Sequence, residues 1–378
     1  MRIIIILLLL INIKAEAQSS ALELGDDLYA KGNFSKAIKA HLSYEDSTAV
    51  FNKIAKSYQA LGLTQKALMY FEKSYDANSE DELIMYNYAK MLFSSKKYAK
   101  ASELFEKLIY KDYKNPHYHY QKGLVLEKIP DSLDKAIDRF NSAFRLDTGH
   151  QKSIIKLATH YLKKGKHKSV DYFLKFGLEN NANSLPLLSL KAQNFYYKDD
   201  YLNAIIWFEK LLELGESSEF IHEKLSRSYG KEYEYEKAIM HRKEVLKYNP
   251  YDFNSKYVIG QYYQRLEQHG EAVKWFKEYF KSADLPLDNE YSDLGVSLNY
   301  QKKHKEAIEA FNKSLRENPS NFLVQFWLVT TKEAYYKDID AKIKLYEDFI
   351  LKYPAHKMLR MAEHRLSELK KEKFLKKD

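Results

Sequence analysis

The sequence predicts an all-α solenoid of about ten helix–turn–helix units followed by a C-terminal capping helix. Three observations carry that prediction. A pattern of small and aromatic residues returns every 34 or 35 residues along most of the chain. Helix breakers are scarce, with 12 glycines and 7 prolines in 378 residues, and most fall at the turns, helix starts or helix contacts that the pattern needs. Aromatic residues are plentiful, with 32 Tyr and 20 Phe, enough to fill a groove in each unit with a large ring. An apolar content of 45% against 30% charged residues excludes general disorder. The absence of cysteine excludes disulfides, thiolate metal sites and a cysteine nucleophile.

The first element reads as a processing signal. Arg2 precedes an apolar run from Ile3 to Ile13, and Ala15-Glu16-Ala17 has the small-x-small form of a cleavage site. The run is too short for a membrane span, which needs about 20 residues. Residues 1–17 are therefore expected to direct export, to a bacterial periplasm or cell envelope, and to leave no stable membrane anchor once cleaved.

The repeats follow. Small residues stand at Ala37, Ala67, Ala101, Ala136, Ala204, Ala238, Ala272, Ala307 and Ala341, with Val170 in the fifth copy; the steps are 34 or 35 residues after a first step of 30. Four residues beyond most of them comes an aromatic, as in Phe71, Phe105, Phe140, Phe208, Phe276 and Phe311. Twelve or thirteen residues upstream lies a second small residue: Gly25, Ala55, Ala89, Gly123, Ala158, Ala192, Ser226, Gly260 and Gly295. Each period reads as two amphipathic helices whose small residues let them approach, with the ring filling the groove between. Gly32, Gly62 and Gly165 punctuate turns within units; Pro250, Pro286, Pro319 and Pro354 fall between them. Pro116 and Pro186 open helices, where a missing N–H costs little. Pro130 sits in a turn lengthened by one residue. The chain departs from its own pattern at His41 and Arg242, where an aromatic is due, and at Val329, where a small residue is due. Arg242 is read as a substitute that snorkels its charge outward.

This pattern resembles the tetratricopeptide repeat, a 34-residue helix–turn–helix with small residues at these two sites. The resemblance extends over residues 18–355. It implies one continuous right-handed superhelix, with residues 356–378 forming a capping helix with a charged outer face and a basic tail. Chaperone-binding members hold a carboxylate with a Lys/Asn clamp; the matching positions here are Lys56, Lys90, Leu124, Thr159, Gln193 and Arg227, so that clamp is absent.

Catalytic motifs are missing: no phosphate-cradling glycine loop, no Gly-x-Ser-x-Gly elbow and no His-Glu-x-x-His helix. His222-Glu223 begins like the last, but Ser226 occupies the second histidine position. His117 and His119 point in different directions from the start of a helix and read as solvated residues, not as a chelate. No enzymatic activity, cofactor or metal is expected.

In such solenoids the first helix of each unit lines the concave side, which is the expected working surface. The candidate contact residues there are Tyr86, Lys90, Tyr120, Tyr196, Tyr197, Arg227, Tyr257, Gln261 and Arg265. Basic residues on this face (Lys56, Lys90, Lys128, Lys152, Lys163, Arg227, Lys231, Arg265) outnumber the acidic Glu127, Glu223 and Glu333, echoing a formal net charge of +9. Tyr and Arg are the residue types that dominate binding hot spots. The expected function is therefore a non-catalytic scaffold of the envelope that binds protein partners through acidic segments. Carbohydrate or cell-wall binding through tyrosine faces is the alternative; nucleic acid is not expected as a partner.

Overall fold

The computed structural model describes residues 21–44, 47–281, 287–355 and 357–375. The proposed signal at 1–17, Pro286, His356, Lys376 and Lys377 lie outside the described residues. Among the described residues there is no strand, and no helix is long and apolar enough to cross a membrane.

Helices pair in sequence order. Residues 21–30 (α1) pack with Phe34–Leu42 (α2), Ser47–Ala60 (α3) with Thr64–Ala77 (α4), and Glu82–Ser94 (α5) with Tyr98–Lys111 (α6). Next come Pro116–Leu126 (α7) with Leu133–Leu146 (α8), and Gln151–Lys163 (α9) with His167–Asn180 (α10). Leu185–Tyr197 (α11) and Tyr201–Glu213 (α12) follow, then Glu219–Lys231 (α13) and Tyr235–Tyr248 (α14), and Phe253–Arg265 (α15) and His269–Phe280 (α16). Asp288–Tyr300 (α17) and His304–Glu317 (α18), then Phe322–Tyr335 (α19) and Ile339–Lys352 (α20), complete ten pairs before the final helix Leu359–Leu375 (α21). The chain divides into two compact units, Met1–Leu190 and Lys191–Asp378.

Within each unit the groove works as the pattern implies. A Cβ on Gly123 would stand 2.4 Å from the Phe140 ring, and one on Gly260 would stand 2.6 Å from Phe276. Both rings are fully buried. Burying such a side chain stabilises by roughly 1.5–3 kcal/mol. Val170 and Val329, in place of the small residue, are buried as well.

The turn within each of the first nine pairs holds one residue in the left-handed region: Gly32, Gly62, Lys96, Asp131, Gly165, Asp199, Tyr233, Glu267 and Lys302. The tight reversal sets that φ, whichever residue the sequence supplies. Polar side chains then start many of the helices. Asp81 Oδ1 accepts from Ile84 N at 3.0 Å, Asp200 Oδ1 from Asn203 N at 3.2 Å, and Asp338 Oδ1 from Ala341 N at 2.8 Å. Pro116 opens α7, with Asn115 accepting from His117 N at 3.1 Å.

Successive pairs are also tied by polar contacts about one period apart. In the N-terminal unit Tyr118 donates to Glu82 at 3.1 Å and Arg139 pairs with Glu106 at 3.1 Å. In the C-terminal unit Gln264 Nε2 donates to Ser297 Oγ at 2.9 Å, and Gln301 Nε2 to the His269 carbonyl at 2.8 Å.

The capping helix exposes Glu363, His364, Glu368, Lys370, Lys371 and Glu372. Arg365 Nη2 bonds Glu333 Oε1 at 2.7 Å, and Lys373 pairs with Asp340. Beside these contacts, however, Ile350, Leu366, Phe374 and Leu375 line an open apolar groove of about 780 Å³.

Candidate functional site

The first helices of the pairs carry the candidate residues, and the two units present them differently. In the N-terminal unit Tyr86 on α5 is half-buried, and its hydroxyl lies 2.7 Å from His117 Nε2 on α7. Burial, reinforced by His150, Lys152 and Lys90, holds the His117 pKa below its ordinary value. The Tyr86 hydroxyl and Gln121 Nε2, the latter at 3.2 Å, both meet that one nitrogen, which has a single lone pair to share between them. Lys90 is exposed, with Nζ 5.4 Å from the centre of the Tyr86 ring. Tyr120 sits deeper, only 9% exposed, against Phe140 at 5.7 Å and His150 at 5.3 Å. Its ring belongs to the packing.

The histidines correct the reading of solvated helix-start residues. His119 is buried, with Nε2 2.9 Å from the Tyr113 carbonyl, and His117 is half-buried in the network above. Among the described residues no group of three or more histidines and carboxylates is arranged to hold a metal.

In the C-terminal unit Tyr196 is only 7% exposed, edge-to-face with Tyr197 and Tyr201 and capped by Lys224 Nζ 4.9 Å from its ring centre. Tyr197 is 51% exposed. Arg227 and Arg265 are exposed on α13 and α15. Tyr257 and Gln261, both half-buried on α15, converge on Asp293 of α17. The Tyr257 hydroxyl donates to Asp293 Oδ2 at 2.7 Å, and Gln261 Nε2 donates to the same oxygen at 3.3 Å. Burial pushes the Asp293 carboxyl above its usual pKa, outweighing these hydrogen bonds and the nearby Arg265.

Sequence reasoning missed Asp293. It lies two residues before the small residue Gly295, at a register where the two preceding copies carry Lys224 and Val258. A carboxylate there, among basic neighbours, was the available signal.

Charge on this face is uneven. The three acidic residues are all engaged: Glu127 pairs with Lys156 at 2.6 Å, Glu223 with Lys224 at 3.3 Å and Glu333 with Arg365 at 2.7 Å. Among the described residues none of the eight basic residues of the face has a carboxylate within 4.0 Å. The cations are therefore free to meet an external anion.

Arg242 also corrects its reading. The side chain does not snorkel outward. It is 9% exposed on α14, where six other pairs hold a phenylalanine, and Nε donates to Ser226 Oγ at 3.3 Å. It lines a cavity of about 690 Å³ whose walls include Arg227, Lys231, Tyr262, Arg265 and Asp293.

Comparison with known proteins agrees with this architecture. Family models described as tetratricopeptide repeat match residues 58–123, 253–283 and 291–321. Superkiller complex protein 3 of Homo sapiens is 24% identical over 89% of this chain and 24% of its own length. A TPR repeat-containing protein of Methanocaldococcus jannaschii is 25% identical over 65% of this chain and 43% of its own length. The chain thus spans less than half the length of these relatives. Among solved structures, the C-terminal part of a TPR repeat-containing protein from Cytophaga hutchinsonii superposes with a TM-score of 0.50 at 18% identity, covering 63% of this chain and 96% of that one. That likeness supports the fold. Segments of the chain thus match tetratricopeptide-repeat models, and the described residues form the consecutive helix pairs of an all-α solenoid.

Proposed function

We propose that this array of tetratricopeptide repeats is a non-catalytic scaffold that holds acidic segments of partner proteins on the face carried by its first helices. Tetratricopeptide repeats generally mediate protein–protein interactions. The observation that carries the finer reading is the set of eight basic residues on that face without carboxylate partners, interleaved with half-buried or exposed tyrosines such as Tyr86, Tyr197 and Tyr257. Desolvating a rim of cations against a matching acidic chain gives specificity and a fast on-rate. The proposal includes export to a bacterial cell envelope, supported by Arg2, the apolar run Ile3–Ile13 and the Ala15-Glu16-Ala17 junction.

In-cell cross-linking of the tagged chain, with and without the changes Lys90→Glu, Arg227→Glu and Arg265→Glu, tests the surface. A discrete partner that is lost in the triple variant is the expected result. Equal recovery with the variant would overturn the assignment of the face. Cell fractionation tests the location, and a cytosolic pool alone would overturn it.

A further inference from the structure

We propose that the cavity floored by Arg242 is a carboxylate-binding pocket, which seats two or more acidic side chains of a partner segment. The inference rests on the reading of the first-helix face as a surface for acidic segments, and narrows it to one place in the C-terminal unit.

Arg242 is the starting point. Six other pairs fill the equivalent groove position with a buried phenylalanine: Phe71, Phe105, Phe140, Phe208, Phe276 and Phe311. Here a guanidinium that stays charged at every relevant pH takes the place of the ring. Its Nε reaches only a neutral partner, Ser226 Oγ, and among the described residues no carboxylate lies within 4.0 Å. A buried unpaired charge is costly unless an opposite charge meets it. The guanidinium has five N–H donors in a planar fork matched to carboxylate oxygens; the Ser226 hydroxyl takes one and the neutral Tyr262 hydroxyl meets another.

The surroundings are suited to the same ligand. Arg227, Lys231 and Arg265 line the cavity with Arg242, so four cations from three successive helices face a single carboxylate, Asp293. That carboxylate already accepts from Tyr257 and Gln261. Tyr233, 78% exposed and held at φ 63°, stands at the cavity edge. A volume of about 690 Å³ lies in the range of sites that enclose a ligand of many atoms, far larger than one small ion needs. Cations spread over α13, α14 and α15 match carboxylates spread along a chain.

The full chain, titrated with a hexaglutamate peptide, tests the pocket, with hexaglutamine and inorganic phosphate as comparison probes. Hexaglutamate should raise the Tm by roughly 2–4 °C near saturation, and hexaglutamine should not. Arg242→Phe, which restores the residue type of the other grooves, should raise the Tm of the free protein and weaken hexaglutamate at least about tenfold. Arg227→Ala with Arg265→Ala should weaken binding while leaving the free Tm unchanged, and this exposed pair decides the matter should Arg242→Phe not fold. Unaltered hexaglutamate affinity in these variants would overturn the pocket. So would phosphate that binds at the same place more tightly than the peptide, which would make it a site for a free ion. Loss of peptide binding in Arg242→Phe with no partner cross-linked in cells would leave the pocket standing and overturn the partner surface. A cross-linked partner retained by Arg242→Phe, together with no hexaglutamate effect on the unaltered chain, would do the reverse.

Discussion

His222 Nδ1 and His241 Nδ1 lie 2.9 Å apart in the interior of the C-terminal unit, so one ring must donate and the other accept. The pair belongs to a network. His241 Nε2 is 3.2 Å from Glu209 Oε1, which also accepts from the Tyr229 hydroxyl at 3.0 Å, and His222 Nε2 meets Ser217 Oγ at 3.1 Å. Burial, and next the neighbouring His241, hold the His222 pKa below 6.5; Lys247 acts the same way, and Glu244 and Glu209 oppose them. The folded protein therefore binds fewer protons than the unfolded chain around that pH. Stability from this site is complete above about pH 7 and is lost as pH falls from the unfolded value of about 6.5 through the lower folded value. His41, His117 and His150 are lowered chiefly by burial and add in the same direction. Thermal melts between pH 8 and 5 should show a falling Tm, shallower in the double variant His222→Phe, His241→Phe. An equally steep profile in that variant would remove the pair from the explanation.

Gly260 allows α15 to meet Phe276 closely. Gly260→Ala would force a methyl to 2.6 Å from a fully buried ring that has little freedom to yield. Overpacking of this kind costs about 1–3 kcal/mol, part of which the better helix propensity of alanine offsets. Chemical denaturation should register a net loss, and Phe276→Ala a larger one of about 3–5 kcal/mol. A stabilised Gly260→Ala protein would mean that the groove has slack.

Lys96, Glu267 and Lys302 adopt φ values of 61°, 58° and 59° in exposed turns. Side chains with a Cβ are strained there, whereas glycine is not. Each change to glycine should stabilise by about 0.5–1 kcal/mol after the greater chain entropy of glycine is counted. Differential scanning of the triple variant checks the sum, and a lowered Tm would contradict it.

Glu333 anchors the last helix. It accepts from Arg365 at 2.7 and 2.9 Å and from the buried Tyr346 hydroxyl at 2.6 Å. Glu333→Ala leaves that hydroxyl without its partner, at a cost of about 1–3 kcal/mol. Hydrogen exchange should quicken in α21 first, while α13–α16 keep their protection. Uniform loss across the chain would argue against a local effect.

The helix pairs were legible because one physical requirement repeats: a small residue opposite a ring. Even the tenth pair, the least regular in sequence, forms around buried Val329 and Ile343. The face was legible only in part. Helical periodicity assigns a side to Tyr120 and Tyr196, but it does not see Phe140, His150 or Lys224 arriving from neighbouring helices to enclose them. The same gap hid Asp293, whose partners Tyr257 and Gln261 stand 36 and 32 residues away. Arg242 was visible as an anomaly. Its inward direction depends on Ser226, whose hydroxyl offers an acceptor where the other copies have no polar side-chain atom.

That groove also bears on how such an array changes over generations. In a protein with a single core, a charge in place of a central phenylalanine disturbs every neighbour. Here Phe208 and Phe276 remain fully buried in the copies on either side of Arg242. A mutation of that kind is confined to one module, so selection can try new chemistry in one copy while the others keep the molecule folded.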